Sequence, residues 1–179
     1  GTLNLNGTFA RTDLGTLNHS SGAFNISGTL DLATGSINIA SGGTFGAGGL
    51  GTLSGTIKNG TISGAIGGTT LTSSNGTLDN VTLATSITES GTLNIKNTVT
   101  LANGTTFDTG SNTVFFSSSN ATIAAAGTAT LLKSGGNLST NGNFTSIIGA
   151  GVTVQGYGAL TNAGYGAAAW QNDGIIDAN

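Results

Sequence analysis

The sequence predicts an all-β chain wound into a parallel solenoid, and three observations predict it. A short unit returns in register. Thr77-Leu-Asp-Asn-Val-Thr-Leu83 repeats Thr56-Ile-Lys-Asn-Gly-Thr-Ile62 about 21 residues on, and Leu93-Asn-Ile-Lys-Asn-Thr-Val-Thr-Leu101 is a looser copy about 17 further. Apolar residues alternate at period 2 in runs of three to five, the mark of short half-buried strands. Composition is the third observation: 32 glycines in 179 residues, no Pro, Cys or Met, and 6% charged residues against roughly a quarter in ordinary globular proteins. Ser, Thr, Asn and Gly suit tight turns and flat β faces and make a poor helix surface.

The same composition excludes several classes. Seven acids and four bases give a net charge of −3, so there is no basic patch to neutralise phosphates and nucleic acid is not an expected partner. No run of 18 apolar residues is present, and no membrane-spanning helix is expected. Beginning on Gly1-Thr-Leu, the chain reads as a mature product or a piece of something longer. The absence of Cys removes disulfide staples and points towards a bacterial surface or secreted protein.

Taken in order, residues 1–54 are dominated by Gly-Thr followed by an apolar residue, as at Gly1, Gly7, Gly15, Gly28, Gly43 and Gly51. Each glycine is expected to supply a bend before a short strand such as Leu3-Asn-Leu5 or Leu30-Asp-Leu32. In residues 55–109 the repeat places Lys58, Asp79 and Lys96 in one column, with Asn59, Asn80 and Asn97 beside them as a structural ladder of stacked amides. Ile57, Leu78 and Ile95 form the inner column, and a one-residue slip after Asn97 predicts a longer corner before Val99 and Leu101. Asn112 is a further candidate for the Asn column. Phe115 and Phe116 cannot both face inward on a straight strand. Residues 135–179 hold both tyrosines and the one tryptophan, suited to terminal or capping turns over an open end. The whole, 1–179, reads as one solenoid domain of roughly nine laps of about 20 residues, a rod of about 40–45 Å.

Residues 76–83, Gly156-Tyr-Gly-Ala-Leu-Thr-Asn-Ala-Gly164 and Asn172-Asp-Gly-Ile-Ile-Asp-Ala-Asn179 together resemble the repeats of large bacterial filamentous-haemagglutinin-like and autotransporter-like surface proteins. The most specific pattern is Gly-x-Leu-x-Asn-x-Gly followed by Asn-x-Gly-x-Ile-x-Ala-Asn. The resemblance implies a right-handed parallel β-helix of about 20 residues per turn, exported and displayed as a stalk or adhesin. This chain departs from the pattern in its uneven repeat lengths and in lacking an amino-terminal secretion cap or a carboxy-terminal membrane barrel.

Parallel β-helices also carry polysaccharide-cleaving enzymes, so the acids matter. Such sites need two or three carboxylates together with a basic residue. Asp13, Asp31, Asp79, Glu89, Asp108, Asp173 and Asp177 are scattered and are expected to be solvated corner residues. His19 lies in a turn-like Asn-His-Ser-Ser-Gly and is the one possible base for a triad. One His and no Cys exclude a His/Cys metal site. No P-loop or Ca²⁺ nonapeptide is present, and no cofactor is expected. Asn-x-Ser/Thr triplets recur throughout, but an inter-lap ladder accounts better for Asn59 and Asn80. Thr98-Val-Thr100 and Thr128-Ala-Thr130 are isolated Thr-x-Thr pairs. Tyr157, Tyr165 and Trp170 are candidate carbohydrate contacts, with end-capping as the plainer role. The expectation is a non-catalytic structural or adhesive segment on the cell surface. Its partners would be other copies stacked end to end, or carbohydrate on a host surface.

Overall fold

The computed structural model describes residues 1–17, 22–163 and 166–178. It is all β, 62% strand, with parallel strands stacked into a solenoid of about eight laps of about 22 residues. At about 4.8 Å per lap the coil is about 35–40 Å long. The register sorts the strands into three faces. The first runs from Thr2–Leu5 through Ala23–Ile26 and Leu50–Leu53 to Ile175–Ala178. The second runs from Thr8–Ala10 and Thr29–Asp31 to Val114–Phe116, and the third from Ser36–Asn38 to Thr122–Ala125, Thr145–Ile148 and Ala169–Asn172. The long strands Thr69–Leu83 and Ile87–Leu101 pass through all three faces, turning at bulges.

The core is a set of ladders along the axis. On the second face Phe9, Leu30, Ile57, Leu78, Ile95 and Phe116 sit one above another in successive laps. On the third, Val81, Val99, Ile123 and Ile148 do the same. The expected inner column of Ile57, Leu78 and Ile95 is fully buried. Phe116 is inside and Phe115 outside, half-buried, as alternation on one strand requires.

Laps are uneven, as the offsets of 21 and 17 imply, and average about 22 residues where about 20 is expected. Leu30 to Ile57 is a step of 27 residues and Leu78 to Ile95 only 17. The long step accommodates the loop around Gly43 and Gly46, whose Phe45 folds back into the core. The chain therefore completes about eight laps, not nine.

The glycines that open the Gly-Thr-apolar units do a second job besides the expected one. Gly28 and Gly55 stand at bends before their strands, as expected. They lie directly on the lap before, where an added Cβ would sit 2.0 Å from the Gly7 carbonyl oxygen and 1.9 Å from that of Gly28. Those same carbonyls accept from Thr29 N at 2.7 Å and Thr56 N at 2.8 Å. Glycine here permits close backbone approach.

Candidate functional site

Three groups of side chains stand out: the corner between the second and third faces, the aromatics of the last laps, and a polar column inside the first face.

At the corner, Asp31, Lys58, Asp79 and Lys96 occupy one register position in four successive laps. The expected charge column thus begins one lap earlier, at Asp31. Lys58 Nζ lies 3.1 Å from Asp31 Oδ2. The Ala33 N–H, the Lys58 ammonium and the Asn59 amide together hold the Asp31 carboxyl below its ordinary value. One residue on, Asn59, Asn80 and Asn97 take φ values of 58, 54 and 50°, the left-handed region that Asn tolerates better than other residues with a Cβ. The backbone turns the corner there, a role that the repeat alone does not reveal. Asn80 Nδ2 donates to Asn59 Oδ1 at 3.3 Å, and Asn59 Nδ2 donates to Asp31 Oδ1 at 3.2 Å. Asn97 breaks the series. The pairing slips between Asp79 and Val81, and Asn97 Nδ2 donates instead to Asp79 Oδ1 at 2.6 Å. Asn112 is not on this column, because Val114 pairs with Leu93, a different corner. A second amide pair, Asn25 Nδ2 to Asn4 Oδ1 at 3.0 Å, went unseen in the sequence. The corner opens into a shallow groove of about 640 Å³ whose polar lining includes Asp31, Asn59, Thr61, Asn80 and Thr82.

The left-handed corner has a measurable consequence. Asn80→Ala is expected to cost about 1–2 kcal/mol, and Asn80→Gly less than half of that, because glycine removes the strain while losing the same side-chain bond. Equal losses in urea unfolding would mean that the amide ladder, not the backbone, sets the residue.

Tyr157 and Trp170 do not share one platform. Trp170 lies on Ala169–Asn172, opposite Ser146, and reaches inward. Beneath it Thr140 and Ser146 are small, fully buried and bonded to each other at 2.8 Å, which leaves room for the indole to meet Phe116 edge-on at 4.9 Å. Its Nε1 donates to the Thr161 carbonyl at 3.2 Å. Trp170 thus packs over the last part of the core. Tyr157 stands on another face, 66% exposed, beside an opening of about 360 Å³ lined also by Lys133, Gly156, Leu160 and Ile176. Tyr165 and His19 lie outside the described residues.

Inside the first face the register runs from Leu71 to Glu89, and from Lys133 to Gly156. Thr109 lies between the two middle laps, next to Asp108, which pairs with Thr88 on one side and Leu132 on the other. Glu89 is 2% exposed and Lys133 4%. This corrects the expectation that the acids are solvated corner residues: Glu89 is a core residue. Neither of its carboxylate oxygens has a hydrogen-bond partner, and burial pushes the carboxyl up to about 8 despite the nearby Lys133. Burial lowers the Lys133 amine, against the pull of Glu89 and Asp108. Lys133 Nζ donates to Thr109 Oγ1 at 3.1 Å and to the Asn112 carbonyl at 3.3 Å, and Asn112 Nδ2 donates to the Glu89 carbonyl at 3.2 Å. Parity was the available signal. Glu89 is two residues from the buried Ile87, and Lys133 two from the buried Leu131.

The other acids are dispersed. Asp13 accepts from Ala10 N, Asp108 from Gly110 N and Asp173 from Gln171. Among the described residues no group of three His, Cys, Asp or Glu side chains converges on one point, and no helix is long and apolar enough to cross a membrane. No family model, curated protein or solved structure matches the chain.

Proposed function

We propose that this chain is a structural and adhesive segment of an exported bacterial surface protein, in which stacked laps build a rod and a polar corner meets carbohydrate. The observation that carries the reading is the corner itself. Four laps in succession present carboxylate, ammonium, carboxylate and ammonium at one register position, and beside them runs a groove lined by Asp31 and by the amides and hydroxyls of Asn59, Thr61, Asn80 and Thr82. A row of alternating donors and acceptors at about 4.8 Å spacing suits an extended glycan whose hydroxyls both give and accept hydrogen bonds. A glycan array probed with the purified chain tests it. Binding that is lost in the Thr61→Val, Thr82→Val double variant supports the reading. An array with no bound glycan, or binding indifferent to both changes, overturns the carbohydrate part.

The rod extends by stacking a second copy on the first. The last laps expose Leu160, Ile175 and Ile176, and the first exposes Leu3. Among the described residues, strands Thr2–Leu5 and Ile175–Ala178 each pair on one side only, leaving edges that can add a further strand. Sedimentation should show assemblies that lengthen with concentration. Monomer alone over a wide range would remove this mode of growth.

A further inference from the structure

Each end of the coil is a spiral ramp with one step in it, not a flat disc, and the two ramps join without a gap in one orientation. We propose that copies stack head to tail with each turned by one face, so that the first face of one copy rests on the second face of its neighbour. This rests on the stacking of copies proposed above and assigns its register.

The order of winding sets the step. At the carboxy-terminal end the outermost strands are 159–162 on the second face, then Ala169–Asn172 on the third, then Ile175–Ala178 on the first. The next place on this ramp is over 159–162, whose outer edge has no strand beside it among the described residues. At the amino-terminal end Thr2–Leu5 on the first face leads to Thr8–Ala10 on the second. Arg11–Leu14 follows, tied to the third face where Arg11 Nε donates to the Ser36 carbonyl. With like face on like face, Thr2–Leu5 covers Ile175–Ala178, but room for one absent strand is left over 159–162 and another over Ala169–Asn172. Turned by one face, Thr2–Leu5 pairs with 159–162 and Thr8–Ala10 with Ala169–Asn172, and the winding runs on.

The side chains agree with the turned arrangement. Leu3 stands in the inward column of buried Phe24, and Leu160 in that of buried Leu138, yet the two are 56% and 41% exposed because no lap covers them. Inward residues must meet inward residues in a parallel ladder, which sets Leu3 on Leu160 and, on the adjoining face, Phe9 on Trp170. Leu5, Phe9, Leu14 and Leu17 line an opening of about 430 Å³ at the amino-terminal end. It lies over Ile176, the exposed inward residue of the last first-face strand. The outward residues brought together are neutral, Asn4 on Thr161 and Ala10 on Gln171, so no like charges meet on the paired strands. Such a contact is heterologous and does not close, so it builds an open filament. Because the coil has three faces, the polar corner of Asp31 to Lys96 returns to the same side at every third copy, and the filament presents that corner all round.

Paired cysteines test the register, since the chain has none of its own. The full chain carrying Asn4→Cys with Thr161→Cys, checked for native circular dichroism and wild-type sedimentation, should give a ladder of covalent oligomers on oxidation. Ala10→Cys with Gln171→Cys should do the same on the adjoining face and serves if the first pair disturbs stacking. Asn4→Cys with Asp177→Cys, the pair that meets when like faces stack, should stay monomeric on a denaturing gel. A ladder from the Asp177 pair, alone or equal to the others, overturns the turned register. So does the absence of any ladder while the wild-type chain sediments as growing assemblies. A wild-type chain that is monomeric at every concentration overturns the stacking itself, and this register with it.

Discussion

Glu89→Gln will flatten the stability of this protein between pH 4.5 and about 8, a window over which the wild-type chain will weaken steadily. In the unfolded chain Glu89 releases its proton near 4.5, whereas in the fold burial holds the proton until about 8. Between those values the unfolded state binds fewer protons than the folded one, so stability falls as pH rises and is at its fullest below 4.5. Across the whole window the loss accumulates to about 3–5 kcal/mol. Lys133 contributes with the opposite sign as pH rises through its lowered folded value. The slope within each protein is therefore the readout, measured by urea unfolding at a series of pH values. A wild-type curve as flat as that of Glu89→Gln would show that Glu89 titrates as a solvated acid.

Gly55→Ala is expected to be strongly destabilising although it adds only one carbon. Its Cβ would fall 1.9 Å from the Gly28 carbonyl oxygen, the acceptor for Thr56 N, so the two laps must part where they are bonded. Forced separation of packed backbone costs about 2–4 kcal/mol. Gly104→Ala is the matched control. Gly104 also belongs to a Gly-Thr step and has φ +75°, yet a Cβ there meets nothing within 4 Å. Only the positive φ is strained, costing about 1 kcal/mol. If the two variants melt together, close approach is not what selects glycine in these units.

The solenoid was legible because its repeat survives in the residues that face a neighbour in the next lap. Ile57 and Leu78 share a step of 21 residues with Asn59 and Asn80, and the structure stacks both pairs. The step of 17 to Ile95 was readable too, and so was the slip after Asn97. What that slip does to hydrogen bonding was not. One extra residue on the later strand carries the Asn97 amide past Asn80 to Asp79. The left-handed corner was hidden because Asn serves equally well as a ladder residue and as a turn residue. Glu89 was missed because Thr88-Glu89-Ser90 looks like an exposed stretch by composition. Only its parity with Ile87, combined with the register between laps, turns it inward. Trp170 was readable as a cap, but the pocket that receives it depends on Thr140 and Ser146, small residues one lap away.

The fold, the corner and the buried lysine all depend on the backbone advancing by one strand spacing at each lap. Thr56, Thr77 and Thr161 provide the test, since the column on the second face runs from Thr56 to Thr77, then through Asn94, Phe115 and Ser139 to Thr161. The chain has no Cys, so spin labels can be placed at chosen pairs. Labels at Thr56 and Thr77 should couple strongly, with backbones about 5 Å apart, while labels at Thr56 and Thr161, five laps apart, should give a distance of about 24 Å between backbones. Weak coupling in the first pair, or a second distance no longer than the first, would contradict the coiled arrangement.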